Sequence, residues 1–166
     1  MVLLVQYTLI FASVLALVAL GGCFSEHSGV INIGLEGIMV MGALGGALAM
    51  KFLPASTPGI VLFILIVLAS VLVGMAFSLL LGFAAIHFNA DQTLVGTALN
   101  LMGTAAAVVI VRAINVAENP DNVSSTVVYR QAKQVFLVKI GDFEFNWFML
   151  IIVLAIIASH IVLYRT

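Results

Sequence analysis

The sequence predicts an all-α fold, a polytopic helical membrane protein with about five hydrophobic segments and a broken or re-entrant element at 21–37. Three observations lead there. Of 166 residues, 64% are hydrophobic and 8% charged, and the mean hydropathy is +1.29, far outside the range of soluble globular domains. Several apolar runs reach the ~20 residues that carry a helix across a bilayer core, and none alternates as an outer-membrane barrel strand would. Finally, the stretch Gly21 to Gly37 sets five glycines, the carboxylates of Glu26 and Glu36, and Asn32 between two such runs. Polar atoms so close to hydrocarbon are costly and need a structural or functional reason.

The same composition excludes several classes. A net charge of −1 with no polybasic patch gives no footprint for nucleic acid or for a soluble electrostatic partner. One cysteine rules out an internal disulfide and a cysteine-based metal cluster. Leu20-Gly21-Gly22-Cys23 resembles a lipoprotein cleavage box, but the run before it lacks a basic start and further spans follow, so lipidation is not expected. His27, His87 and His160 fall near three different segment boundaries without metal-ligand spacing. No metal, cofactor or catalytic residue is therefore predicted. A Gly-x-x-x-x-Gly-Lys-Ser/Thr loop is lacking as well, so the chain is read as a non-enzyme whose energy coupling comes from a partner or an ion gradient.

Taken in order, residues 2–22 hold no charge and form the first predicted helix. Residues 28–50 form the second, starting as broken backbone around Asn32, Gly34, Glu36 and Gly37. Lys51 and the Pro54–Pro58 turn end it, since proline cannot continue the ladder and lysine can reach the headgroups. Residues 59–88 are the longest uncharged run, closed by the polar group His87 to Gln92. Residues 93–111 are rich in small and hydroxyl side chains, a helix suited to packing on protein, with Arg112 closing it. Residues 113–146 carry four acids, three bases and Pro120 and read as an extramembrane loop. Within it, Thr126–Arg130 and Val135–Ile140 with a Gly141-Asp142 turn fit either a hairpin or an interfacial helix. Residues 147–164 form the last run, with Trp147 and Tyr164-Arg165 as interfacial anchors.

The polar candidates follow from these placements. Asn32 and Glu36 are four apart, so on a helix they would share a face with Gly29 and Gly37 nearby. Glu36 either lines a solute route or accepts hydrogen bonds from the amides of the broken helix; the second reading is preferred. For Asn32 the two readings stand level. Asn100, two turns into its helix, is either an interhelical hydrogen bond or a pathway group, and Thr97 lies beside it. Asp91 and Gln92 are placed to cap the helix that follows. Gly34, Gly37, Gly42, Gly46 and Gly96 are read as packing positions, with Ser70, Gly74 and Ser78 a matching small-residue row.

Two stretches carry a resemblance. Gly21-Gly22-Cys23-Phe24-Ser25-Glu26-His27-Ser28-Gly29-Val30-Ile31-Asn32-Ile33-Gly34-Leu35-Glu36-Gly37-Ile38-Met39 resembles the first signature of inner-membrane permeases of bacterial ABC importers, of the branched-chain amino acid, ribose and nucleoside type. Asn89-Ala90-Asp91-Gln92-Thr93-Leu94-Val95-Gly96-Thr97-Ala98-Leu99-Asn100-Leu101 is similar to that family's second element, and simple-sugar or nucleoside permeases are the nearest type. The resemblance implies a single transmembrane permease domain over 1–166. It is expected to be incomplete, because it covers only the first half or so of such a permease and lacks the cytoplasmic coupling segment. It further implies translocation of a small polar solute across the bacterial inner membrane. The implied partners are ABC ATPase subunits, a second permease chain and an extracytoplasmic solute-binding protein. The C-terminus would be cytoplasmic and the 113–146 loop outside. The competing expectation is a non-transporting structural subunit of a larger membrane complex; an ion pathway through Glu36 ranks last, since only Glu26 and the histidines could extend it.

Overall fold

A computed structural model describes residues 2–54, 56–128, 137–140, 143–146, 152–154, 156–159 and 161. Four helices dominate: α1 (Val2–His27), α2 (Leu35–Phe52), α3 (Gly59–His87) and α4 (Gln92–Glu118). All four are long and apolar enough to cross a membrane. A short antiparallel hairpin follows, β1 (Leu137–Ile140) and β2 (Phe143–Asn146), with Ile140 opposite Phe143 and Leu137 opposite Asn146. Residues 152–154, 156–159 and 161 of the last apolar run are helical. The expected anchors Trp147, Tyr164 and Arg165, the Gly141-Asp142 turn and His160 lie outside the described residues.

The polytopic helical architecture predicted above is present, with three boundaries moved. Helix α1 does not stop at Gly22 but runs to His27, so the interruption is residues 28–34 rather than 21–37. Glycine costs a helix about 1 kcal/mol, whereas leaving amides unpaired near hydrocarbon costs several, and the ladder therefore continues. Gly22 also lies close to the next helix: a Cβ there would be 3.1 Å from Leu35 Cδ1. Helix α4 likewise passes Arg112 and continues to Glu118. Arginine is a good helix former, and Val111 and Asn115, four apart, keep one face buried beyond it. Non-helical chain thus begins at Asn119, six residues after Ala113. Of the two readings for the loop, a hairpin is present over Leu137–Ile140 and Phe143–Asn146, while Arg130 lies outside the described residues.

Local chemistry sets the helix ends. Helix α1 closes in a Schellman motif: the Val30 N–H donates to Ser25 C=O at 3.2 Å and the Gly29 N–H to Glu26 C=O at 3.0 Å, with Gly29 at φ +83°, a conformation glycine adopts without steric cost. Asn89, at φ 47°, turns the chain after α3. Asp91 then caps α4, its carboxylate accepting from the Thr93 N–H at 2.8 Å and the Leu94 N–H at 3.1 Å, as predicted. Asp91→Ala is expected to lower stability by about 1 kcal/mol, measurable as an earlier unfolding midpoint in detergent; an unmoved midpoint would mean the cap contributes nothing.

Helix α2 is the centre of the packing. It runs antiparallel to α3 through the small residues singled out in the sequence. A Cβ on Gly42 would meet Ser70 C=O at 3.3 Å and Gly74 Cα at 3.8 Å, one on Gly45 would meet Ala69 C=O at 2.9 Å, and one on Gly46 would strike the Ser70 hydroxyl. Backbones approach this closely only where side chains are missing. Ser78 bonds within its own helix, its hydroxyl donating to Met75 C=O at 2.9 Å. A core of Phe77, Leu81 and Leu99, flanked by Val30, Ile38, Met41 and Val95, joins α3 and α4 to the start of α2. The outer faces of α1 and α3 remain apolar and exposed, for example Phe11, Leu15, Ile60 and Leu79, as expected of helices whose solvent is hydrocarbon.

Candidate functional site

The break at residues 28–34 would leave several backbone groups unanswered, and α4 answers them. Helices α2 and α4 run parallel, with the break beside the first turns of α4. The Ile31 N–H donates to Gln92 Oε1 at 2.7 Å. The Asn100 amide spans the entry to α2, its Nδ2 donating to Ile33 C=O at 2.9 Å and its Oδ1 accepting from the Gly37 N–H at 2.7 Å. On the α1 side, the Ser25 hydroxyl donates to Val30 C=O at 2.8 Å. One side chain of α4 thus takes the role that a capping residue would normally play within α2, whose own N-cap, Gly34, has no side chain to offer.

Gln92, Gly96, Asn100 and Gly103 are spaced by four, four and three and so share one face of α4. The two glycines let that face reach main chain. A Cβ on Gly96 would lie 2.9 Å from Gly34 N, and one on Gly103 would lie 2.8 Å from Gly37 C=O. A Cβ on Gly37 would collide with Leu99 C=O and come within 2.9 Å of Asn100 Cα. The packing reading of Gly34, Gly37 and Gly96 therefore acquires a purpose: it brings the Asn100 amide within bonding distance of the break.

The predicted polar residues separate into two groups. Asn100 is an interhelical tie. Glu36 is not the group that holds the broken backbone: its side chain is exposed, and among the described residues nothing pairs with it. Asn32 and Glu36 also do not share a helix face, because Asn32 precedes α2; in the break, amides are satisfied from another helix, so a helical turn is not required there. Asn32 is half-buried, and its Oδ1 is buried without a hydrogen-bond partner among the described residues. Thr97 is exposed, its hydroxyl donating to Thr93 C=O at 2.8 Å. Gly42 and Gly46 face α3 and take no part in the break. Among the described residues no three His, Cys, Asp or Glu side chains converge as metal ligands would.

Two participants escape the sequence reading. Gln92 reads as part of a cap, yet its side chain crosses to Ile31. Gly103 reads only as a small residue, although its spacing from Asn100 and Gly96 was the available signal. A second polar cluster lies at the far end of the same helix pair. Lys51 was expected to extend to the headgroups, but its side chain is only 10% exposed and its ammonium is 2.9 Å from Glu118 Oε2.

Residues 4–166 match the family described as branched-chain amino acid transport system, permease component. The chain belongs to this family. Among curated relatives of this permease-family chain, the guanosine ABC transporter permease protein NupQ of Bacillus subtilis is 45% identical over 116 residues, covering 68% of this chain and 35% of the relative. The nucleoside ABC transporter permease protein NupC of Lactococcus lactis is 36% identical over 110 residues, covering 66% and 34%. The putative glucose ABC transporter permease protein TsgC13 of Haloferax volcanii is 36% identical over 101 residues, covering 61% and 29%. Each match spans about a third of the relative's length. No solved structure matches the chain. The two stretches that carry the resemblance in the sequence, 21–39 and 89–101, are the two that the structure of this permease component interlocks.

Proposed function

We propose that this chain is a membrane-spanning permease subunit of an ATP-driven importer, forming part of the translocation path for a small polar solute such as a nucleoside or simple sugar. Membership of the permease family and the names of its relatives support the class. ATP hydrolysis would take place on separate ABC ATPase subunits, with a second permease chain and an extracytoplasmic solute-binding protein completing the assembly in the bacterial inner membrane. The loop after α4 lies outside the membrane on the extracytoplasmic face in this reading.

Glu36 is the observation that carries the path assignment. It is an exposed carboxylate in the first turn of a helix long and apolar enough to cross the membrane, and Asn100 has relieved it of any duty toward the backbone. A charge so placed is retained where it meets water or a polar ligand. Thr97, whose hydroxyl is exposed, adds an acceptor that suits the hydroxyl and amine groups of sugars and nucleosides alike.

Uptake of a labelled nucleoside into vesicles holding the full importer tests this. Glu36→Gln is expected to lower uptake about tenfold, the loss of one charge-assisted hydrogen bond of roughly 1.5 kcal/mol or more, with unaltered thermal stability. Thr97→Val should give a smaller loss, and Leu101→Ala, on a 73% exposed apolar position, none. Wild-type uptake in both polar variants would remove these residues from the path.

A further inference from the structure

The polar cluster at the Lys51 end of the α2–α4 pair holds down the segment that leaves α4. The Lys51 ammonium contacts Glu118 Oε2 at 2.9 Å and donates to Asn115 Oδ1 at 3.3 Å. Asn115 is 3% exposed; its Nδ2 donates in turn to Ser124 C=O at 2.9 Å, Ser124 Oγ at 3.3 Å and Thr126 C=O at 3.0 Å. The segment itself is folded by asparagine turns, with the Asp121 N–H donating to Asn119 Oδ1 at 3.1 Å and the Ser124 N–H to Asn122 Oδ1 at 3.2 Å. Because Lys51 takes the carbonyl end of the Asn115 amide, the amino end must face the segment. Lysine on α2 thereby determines how α4 grips the chain beyond it.

We propose that residues 119–126 form a strap latched over the ends of α2 and α4, and that Lys51 is the positioning residue whose withdrawal releases it. The two ends of the helix pair differ in kind. At the break, α2 and α4 meet backbone to backbone through Gly37 and Gly103 and cannot slide without collision. At the other end, the polar link is one flexible lysine. A swing of this end of α2 away from α4, with the glycine contact as its pivot, carries the ammonium beyond hydrogen-bond distance of Asn115 once the lysine is fully extended. Movement of α2 at this end is thus converted into release of the strap, whatever solute the protein carries.

The test uses the full chain in lipid nanodiscs, with amide exchange followed at Asp121, Asn122 and Ser124 and, in a Cys23→Ser background, the mobility of a spin label on Val123→Cys, a position 62% exposed. Lys51→Met and Asn115→Ala are each expected to raise exchange at the strap about tenfold and to mobilise the label, while the Gly37 amide at the break stays protected. Lys51→Arg, which is long enough to donate to Asn115, should restore part of the protection. Glu118 is 57% exposed, so Glu118→Gln will fold and should give a smaller rise of the same sign. Unchanged exchange at the strap in Lys51→Met and Glu118→Gln would overturn the latch. Equal rises at the strap and at Gly37 would do the same, because they would report general loosening.

Discussion

A single methyl group added at Gly37 is expected to destabilise the folded chain by about 1–3 kcal/mol, although alanine favours a helix over glycine by about 1 kcal/mol. The sign is decided by what the methyl would meet. Its Cβ would collide with Leu99 C=O and lie 2.9 Å from Asn100 Cα, and neither is the end of a flexible side chain that could step aside. Helix α4 would have to retreat, which would lengthen both hydrogen bonds of the Asn100 amide. Gly82→Ala serves as the internal comparison, since a Cβ there meets nothing within 4 Å; it should be neutral or stabilise by up to about 1 kcal/mol. Unfolding midpoints in one detergent measure both. If Gly37→Ala matches Gly82→Ala, the backbone contact between α2 and α4 is not what holds the pair together.

Replacing Asn100 by alanine is the second change with a large expected effect. It leaves the Gly37 N–H and the Ile33 C=O without their partners, at about 1–3 kcal/mol for each group that stays dry. Asn100→Asp separates the two bonds, because a carboxylate still accepts from Gly37 but has no proton for Ile33. Stability should therefore fall in the order wild type, Asn100→Asp, Asn100→Ala, and protection of the Gly37 amide should survive in the aspartate variant alone. Full protection of that amide in Asn100→Ala would show that the break is held by packing without the side chain.

Asn100 and Glu36 show how far the sequence reaches into the site. Both are polar groups in apolar surroundings, so both stand out on inspection. Nothing local says which of them serves the backbone. Sequence reasoning preferred Glu36 for that duty, being adjacent to the exposed amides, whereas the structure uses Asn100 from 63 residues away. The break itself is legible in the stretch but its extent is not, because a glycine pair inside α1 resembles a break until the cost of unpaired amides near hydrocarbon is counted. Lys51 reads from its own segment as a snorkelling end, and its partners Asn115 and Glu118 lie in a stretch whose composition reads as loop.

The sequence by itself determined that the chain spans a membrane through helices, where the long apolar runs lie, which faces are small enough for close packing, and which permease family its two motifs belong to. Those are properties of hydropathy, spacing and residue size, each legible within a few turns. Only the tertiary structure decided that the start of α2 is capped by α4, that Glu36 and the Asn32 oxygen have no partner among the described residues, and that Lys51 is tied to the strap. The reason is that a hydrogen bond requires its two atoms to lie within about 3 Å of each other, and whether residues distant along the chain come so close depends on how nearly their backbones can approach.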